Sequence, residues 1–239
     1  MTPEEILARL LYRDGLMLVI DKPAGVPVHR GPKGGSSLED DFDALRFGLP
    51  RSPALAHRLD KDTSGCLVLG RHRKALAKLG ALFSQGKVGK TYVAVVRGAP
   101  SEESGRIELK LAKRSPTRGW WVAVDPKGQE AVTDWRVIAH AGALSVLALK
   151  PRTGRTHQLR AHLAAVGMPV LGDRIYGREP AAPAGPLLHL HSRRVVLPLK
   201  PKEPLVVAAP LSAHISATLA SFDLDPATLE TAADAAFQD

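Results

Sequence analysis

A single cysteine, Cys66, occurs in 239 residues, so no intramolecular disulfide can staple the chain. No Cys-Cys or Cys-His spacing of a structural zinc site is present either, and a reducing compartment is expected. Long apolar runs are missing: Leu16 to Ile20 and Val195 to Leu199 are strand-length, far below the roughly 20 residues that span a bilayer. The N-terminus, Met1 to Leu11, carries Glu4 and Glu5 and is not a signal peptide, so a cytoplasmic location without a membrane partner is expected. Aromatics are scarce, with three Trp, three Tyr and five Phe, which disfavours a surface that binds nucleic acid mainly by stacking. After Phe222 there is no Lys or Arg, only the acids Asp223, Asp225, Glu230, Asp234 and Asp239.

Positive charge is what the rest of the chain has in excess. Thirty-three Lys and Arg against 24 Asp and Glu give a net charge of +9. Because the tail is acidic, the body before it is more basic still, a balance that suits a polyanionic partner. With 44% hydrophobic residues the composition is that of a globular protein with a real core.

Periodicity predicts the elements. Thr2, Pro3 and Glu5 form a capping box that opens a helix in Met1 to Leu11. Leu16 to Ile20 and Leu67 to Leu69 read as buried strands. Arg73 to Gln85 reads as a helix, with Leu76, Leu79, Leu82 and Phe83 in one stripe and Gly86 as its stop. Strands follow at Thr91 to Val96, through Ile107, Leu109 and Leu111, and at Trp121 to Val124, Ala131 to Ile138 and Leu144 to Lys150. Thr156 to Val166 is a second helix with Gly167 at its left-handed cap, His189 to Leu199 a strand and Leu211 to Phe222 a last helix. The class is α+β, with an antiparallel or mixed sheet rather than regular βαβ units. Residues 1–222 are expected to form one body. The tail 223–239 is expected to fray.

Two polar segments could carry chemistry. In His57-Arg58-Leu59-Asp60-Lys61-Asp62-Thr63-Ser64-Gly65, cations flank Asp60 and would keep it ionised as nucleophile or base, although a turn aspartate held by Thr63 and Ser64 reads as well. In Gly154-Arg155-Thr156-His157-Gln158-Leu159-Arg160-Ala161-His162, a helix start offers amide donors, Arg155 and His157 add more, and Arg160 one turn in could reach a buried carboxylate. His189 and His191 share a side of their strand and could pair on a metal, but they read better as surface or RNA-facing histidines.

These two segments, with Lys90-Thr91-Tyr92-Val93-Ala94-Val95-Val96-Arg97-Gly98 between them, resemble the pseudouridine synthases of the large-subunit ribosomal RNA type A group. Asp21-Lys22-Pro23-Ala24-Gly25 and Gly172-Asp173-Arg174-Ile175-Tyr176-Gly177 resemble that family's opening turn and post-helix loop, so the likeness runs over roughly residues 10–200. The resemblance implies Asp60 as the catalytic aspartate, Tyr92 stacked on the target uracil, and Arg160 as the salt-bridge partner of Asp60. It implies Arg58 filling the stack left by a flipped-out uridine, with Leu159 lining the pocket and Arg155, His157 and Gln158 contacting substrate. It further implies that residues 1–222 form a pseudouridine synthase catalytic domain, α+β, with a mixed, mainly antiparallel sheet in two lobes flanked by helices and loops and an active cleft between the lobes. The expected enzyme acts on ribosomal or transfer RNA as a monomer, with no cofactor and no metal.

Many relatives begin with a small RNA-binding domain, whereas this chain starts almost at the catalytic region. RNA recognition is therefore expected from Arg71-His72-Arg73-Lys74, Lys113-Arg114, Arg118 and Arg193-Arg194. Two rivals are weaker. Ser84 to Thr91 is one substitution from a phosphate-binding loop, but the strand after it is the wrong element. A silent RNA-binding protein would have no need of an intact Asp60, Tyr92 and Arg160.

Overall fold

The computed structural model describes residues 1–31, 34–114, 121–177, 187–200 and 202–238. Arg118 and the Pro180 to Pro186 run lie outside them. The chain divides into two compact units, one of Met1–Gly89 with Ser192–Ser212 and one of Lys90–His191 with Ala213–Asp239.

The first unit opens with α1, Pro3–Leu7, whose Thr2 and Glu5 close the capping box in both directions. The helix is shorter than the sequence suggests, because Leu10–Arg13 is β1, antiparallel to β2, Met17–Lys22. A 3-10 helix, Leu38–Leu45, buries Leu38, Phe42 and Leu45. Then come β3, Ala54–Leu55, β4, Ser64–Gly70, and α2, Arg73–Ser84, which is capped by the His72 ring on the Ala75 amide and followed by Gly86 at φ 68°. The strands β11, Leu190–Leu197, and β12, Leu205–Ala208, complete the order β1-β2-β4-β11-β12, with β3 on β4. Both faces of β2 and β4 are covered, so these strands read as continuous apolar runs rather than alternating ones. Cys66 lies in this core, its Sγ 3.6 Å from the Arg193 carbonyl and 3.7 Å from that of Val207. Burial pushes its thiol up to about 12.

In the second unit β5, Gly89–Arg97, pairs with β10, Leu144–Pro151, and β10 with β9, Val132–Ala141, all antiparallel. The strand expected through Ile107 and Leu111 is two strands. β6, Ser104–Glu108, joins β9, while β7, Leu111–Lys113, forms a separate hairpin with β8, Val122–Val124. The break falls at Leu109 and Lys110, whose carbonyls leave the ladder to accept from His162 Nε2 at 3.0 Å and the Asp125 amide at 2.9 Å. The expected helix at Thr156 is α3, Gln158–Ala165; it starts two residues late because His157 is left-handed at φ 49°.

Most of the described residues after Phe222 are helical. After α4, Ala213–Ala220, Asp225 caps α5, Pro226–Ala235, and Leu229, Ala233 and Ala236 are buried. Their i, i+4, i+7 spacing is an apolar stripe that outweighs the acidic composition.

Candidate active site

In the first unit, Asp60 is half-buried on the loop between β3 and β4, preceded by buried Leu59 and exposed Arg58. The Thr63 amide donates to the Asp60 carbonyl at 3.2 Å, closing a turn over Lys61 and Asp62. Two groups fix this loop from beneath. Lys22, at the end of β2, is fully buried, and its Nζ donates to the Pro23 carbonyl at 2.7 Å and the Lys61 carbonyl at 2.8 Å. Burial pushes the Lys22 ammonium down to about 7, against the nearby negative charges of Asp62, Asp60 and Asp21. Gly65, just past the loop at the start of β4, has φ 101°, and a side chain there would collide with the Ser192 backbone, so only glycine fits. His57 is structural: its Nε2 accepts from the Val68 amide at 3.0 Å, and its ring stacks on Phe83 at 4.2 Å.

In the second unit, Tyr92 is buried on β5 opposite Leu149. Arg160, on the first turn of α3, is 4% exposed, and Leu159 beside it is 7% exposed, as the helix pattern predicts for the leucine. Arg160 donates from Nε to Asp173 Oδ2 at 2.7 Å and from Nη2 to Oδ1 at 2.8 Å, a bidentate pairing with a buried carboxylate of the kind the sequence reading allows, with a partner it does not name. Burial pushes the Asp173 carboxyl up, but the Arg160 hydrogen bonds and charge and two backbone amides outweigh it, and the net shift is downward.

Gln158 is also buried, and its amide is spent on the protein. Its Oε1 accepts from Thr153 Oγ1 at 2.7 Å and the Arg155 amide at 3.1 Å, and its Nε2 donates to the Val132 carbonyl at 2.9 Å and Thr133 Oγ1 at 3.0 Å. The expected substrate contact is thus a brace for the loop that carries Arg155 and His157. Arg155 is exposed, its Nε on the Glu130 carbonyl at 3.0 Å, and His157 Nδ1 lies 3.1 Å from Tyr176 Oη.

Several other expectations are corrected. Arg71 is not a ready RNA contact, since its guanidinium caps the Asp14, Arg46 and Phe47 carbonyls. Arg193 is 8% exposed and donates to the Ala209 carbonyl at 2.6 Å. Arg73, Lys74, Lys113 and Arg114 remain on the surface. His189 and His191 are buried, at 2% and 0%, rather than superficial. The His189 ring is taken up by the Leu187 carbonyl and Thr218 Oγ1. Among the described residues no group of three or more His, Cys, Asp or Glu could hold a metal ion, and no helix is long and apolar enough to cross a membrane. The segment Ser84 to Thr91 runs into strand β5, which removes the helix a phosphate-binding loop requires.

Sequence comparison supplies the context for these residues. The profile of the family described as RNA pseudouridylate synthase matches residues 16–165, which include Asp60, Tyr92 and Arg160. The chain belongs to this family. An uncharacterized RNA pseudouridine synthase of Zymomonas mobilis is 42% identical over 205 residues, 85% of this chain and 93% of that protein. Ribosomal large subunit pseudouridine synthase D of Borreliella burgdorferi is 33% identical over 201 residues, 81% of this chain but 62% of the longer relative. The solved structure of human RNA Pseudouridylate Synthase Domain Containing 4 superposes with a TM-score of 0.79 at 26% identity, covering 93% of this chain and 96% of the human one. The synthase is accordingly an isomerase that converts uridine to pseudouridine in RNA, built on the pseudouridine synthase fold.

Proposed function

We propose that this synthase isomerises particular uridines of ribosomal RNA, or of transfer RNA, using Asp60 as the catalytic carboxylate on a flipped-out nucleotide. The observation that carries the reading is the Asp60 loop itself. A buried ammonium, Lys22, and a glycine that tolerates no side chain, Gly65, hold a half-buried aspartate at a turn. Such rigidity is out of proportion to the needs of an ordinary surface turn. Ribosomal RNA is favoured because the Borreliella burgdorferi relative is named for the large ribosomal subunit. The enzyme is read as a cytoplasmic monomer without a cofactor, since the rearrangement involves no redox change and no phosphoryl transfer.

In the reaction the bond from ribose C1′ to uracil N1 breaks and one from C1′ to C5 forms. The C5 proton goes to solvent and N1 gains one, so the atoms balance without a co-reactant. Asp60 starts the exchange by attacking the ribose, attacking uracil C6, or removing a ribose proton. Each route needs an ionised carboxylate, which Arg160 would maintain as its partner. Tyr92 stacks on the uracil and assists loss of the C5 proton. Extrusion of the uridine costs a few kcal/mol, which Arg58 offsets by filling the vacated stack. Leu159 lines the pocket, and Arg155 and His157 meet the RNA backbone.

Transcribed ribosomal and transfer RNAs carrying tritium at uracil C5 test this directly. Wild type should release tritium from one RNA class, and Asp60→Asn should lose at least about 10³-fold in rate while melting normally. An active Asp60→Asn enzyme would overturn the assignment, and the RNA that supports release names the substrate.

A further inference from the structure

Asp173 lies on the turn after α3, outside every role assigned above. Its side chain is fully buried, and each oxygen is committed. Oδ2 accepts from Arg160 Nε, and Oδ1 accepts from Arg160 Nη2 and from the Ile175 and Tyr176 amides at 2.9 and 3.0 Å. The turn is itself anchored to β5, the strand of Tyr92, through the Val96 and Val170 bridge and the Leu171 amide on the Val95 carbonyl at 2.9 Å. Gly177 closes it where a side chain would strike the Asp173 carbonyl. A buried guanidinium with five N–H donors in a rigid fork is oriented by whichever carboxylate grips it bidentately. Asp173 uses two of the five, so the same guanidinium can serve a second acceptor at the same time.

Tyr176 carries the arrangement outward. Its Oη accepts from the Val122 amide of β8 at 3.0 Å and lies 3.1 Å from His157 Nδ1. Its ring sits 5.3 Å from the Arg160 guanidinium carbon and packs with Leu111, Val122, Ala131 and Ala161. One side chain therefore touches the basic β7–β8 hairpin, the left-handed residue before α3, and the arginine.

We propose that Asp173 is a positioning residue for Arg160 in uridine isomerisation, and that Tyr176 ties the β7–β8 hairpin to the same arginine. This rests on the reading that Arg160 acts in the reaction. If it is correct, misplacing the fork should slow the chemical step far more than it weakens RNA binding.

The test is a double-mutant cycle read by single-turnover and steady-state tritium release. Asp173→Asn, nearly isosteric, should lower kcat by roughly 10²-fold with KM for RNA changed less than about threefold. In an Arg160→Lys background, where no bidentate fork exists, the same substitution should add less than about threefold. Tyr176→Phe, which removes only the hydroxyl, should lower kcat by about tenfold, with the same loss of effect in that background. Equal losses in both backgrounds would mark a merely structural residue and overturn the proposal. So would an Asp173→Asn enzyme with unchanged kcat while Arg160→Lys and Arg160→Met are slow. If both Arg160 variants keep wild-type kcat, the role of Arg160 fails and the proposal with it. Should Asp173→Asn fail to fold, the Tyr176→Phe cycle decides by the same criterion.

Discussion

The Asp60 loop and the start of α3 hold their polar side chains by opposite means. The first is a backbone construction, in which one buried lysine grips two carbonyls and one glycine permits a close approach. The second is a side-chain construction, in which Gln158 braces a loop while Asp173 and Tyr176 grip Arg160. A braced turn places an aspartate through its backbone, whereas a bidentate carboxylate fixes a guanidinium directly through its side chain.

Breaking each construction should have different signatures. Leu159→Ala, at the buried face of α3, should cost about 2 to 5 kcal/mol, read as a lower midpoint in urea with unchanged slope. Gly65→Ala combines a positive φ with a backbone collision and should cost about 1 to 3 kcal/mol. Because the strain falls on the Asp60 loop, its tritium-release rate should drop even at temperatures where the variant is fully folded.

Lys22 gives a pH signature peculiar to the first unit. Its ammonium titrates at about 7 in the folded chain and near 10.5 when unfolded, so between those values the unfolded chain binds the extra proton. Its burial should therefore cost stability in full at and below pH 7, and that cost should shrink as pH rises across the window, by at most about 1.4 kcal/mol per unit. Wild type minus Lys22→Met, followed by denaturant unfolding at several pH values, isolates the slope. Asp173 works at the other end, since its lowered carboxyl stabilises above its ordinary 3.8 and loses that contribution as pH falls below it. The smallest expected effect is Arg155→Ala, which should weaken RNA binding evenly across sequences and reduce the salt slope by about one.

Much of the fold was legible because it is written in local spacing. The stripe of α2 with its glycine stop, the capping box at Thr2 and Glu5, and the β-branched run of β5 all appear where periodicity puts them. The motif residues Asp60, Tyr92 and Arg160 were equally visible as types in a pattern. What the sequence hid was partnership over distance. Asp173 is 13 residues from Arg160, in a loop with no periodicity, and only the motif around it marked it for notice. Basic runs misled for a related reason: Arg71 and Arg193 look like solvated charge, yet each is spent on backbone carbonyls that a string of letters does not place. In the tail, Leu229, Ala233 and Ala236 were readable as a stripe, but the acidic composition masked it.

The lone cysteine has a practical consequence. With its thiol at 0% exposure and pushed up to about 12, Cys66 is almost never a thiolate near neutral pH and resists alkylating reagents. The enzyme is thus a native background for single-site labelling. A cysteine introduced at an exposed position such as Arg114 or Arg73 would carry one fluorophore, and its emission would report RNA arriving at that surface alone.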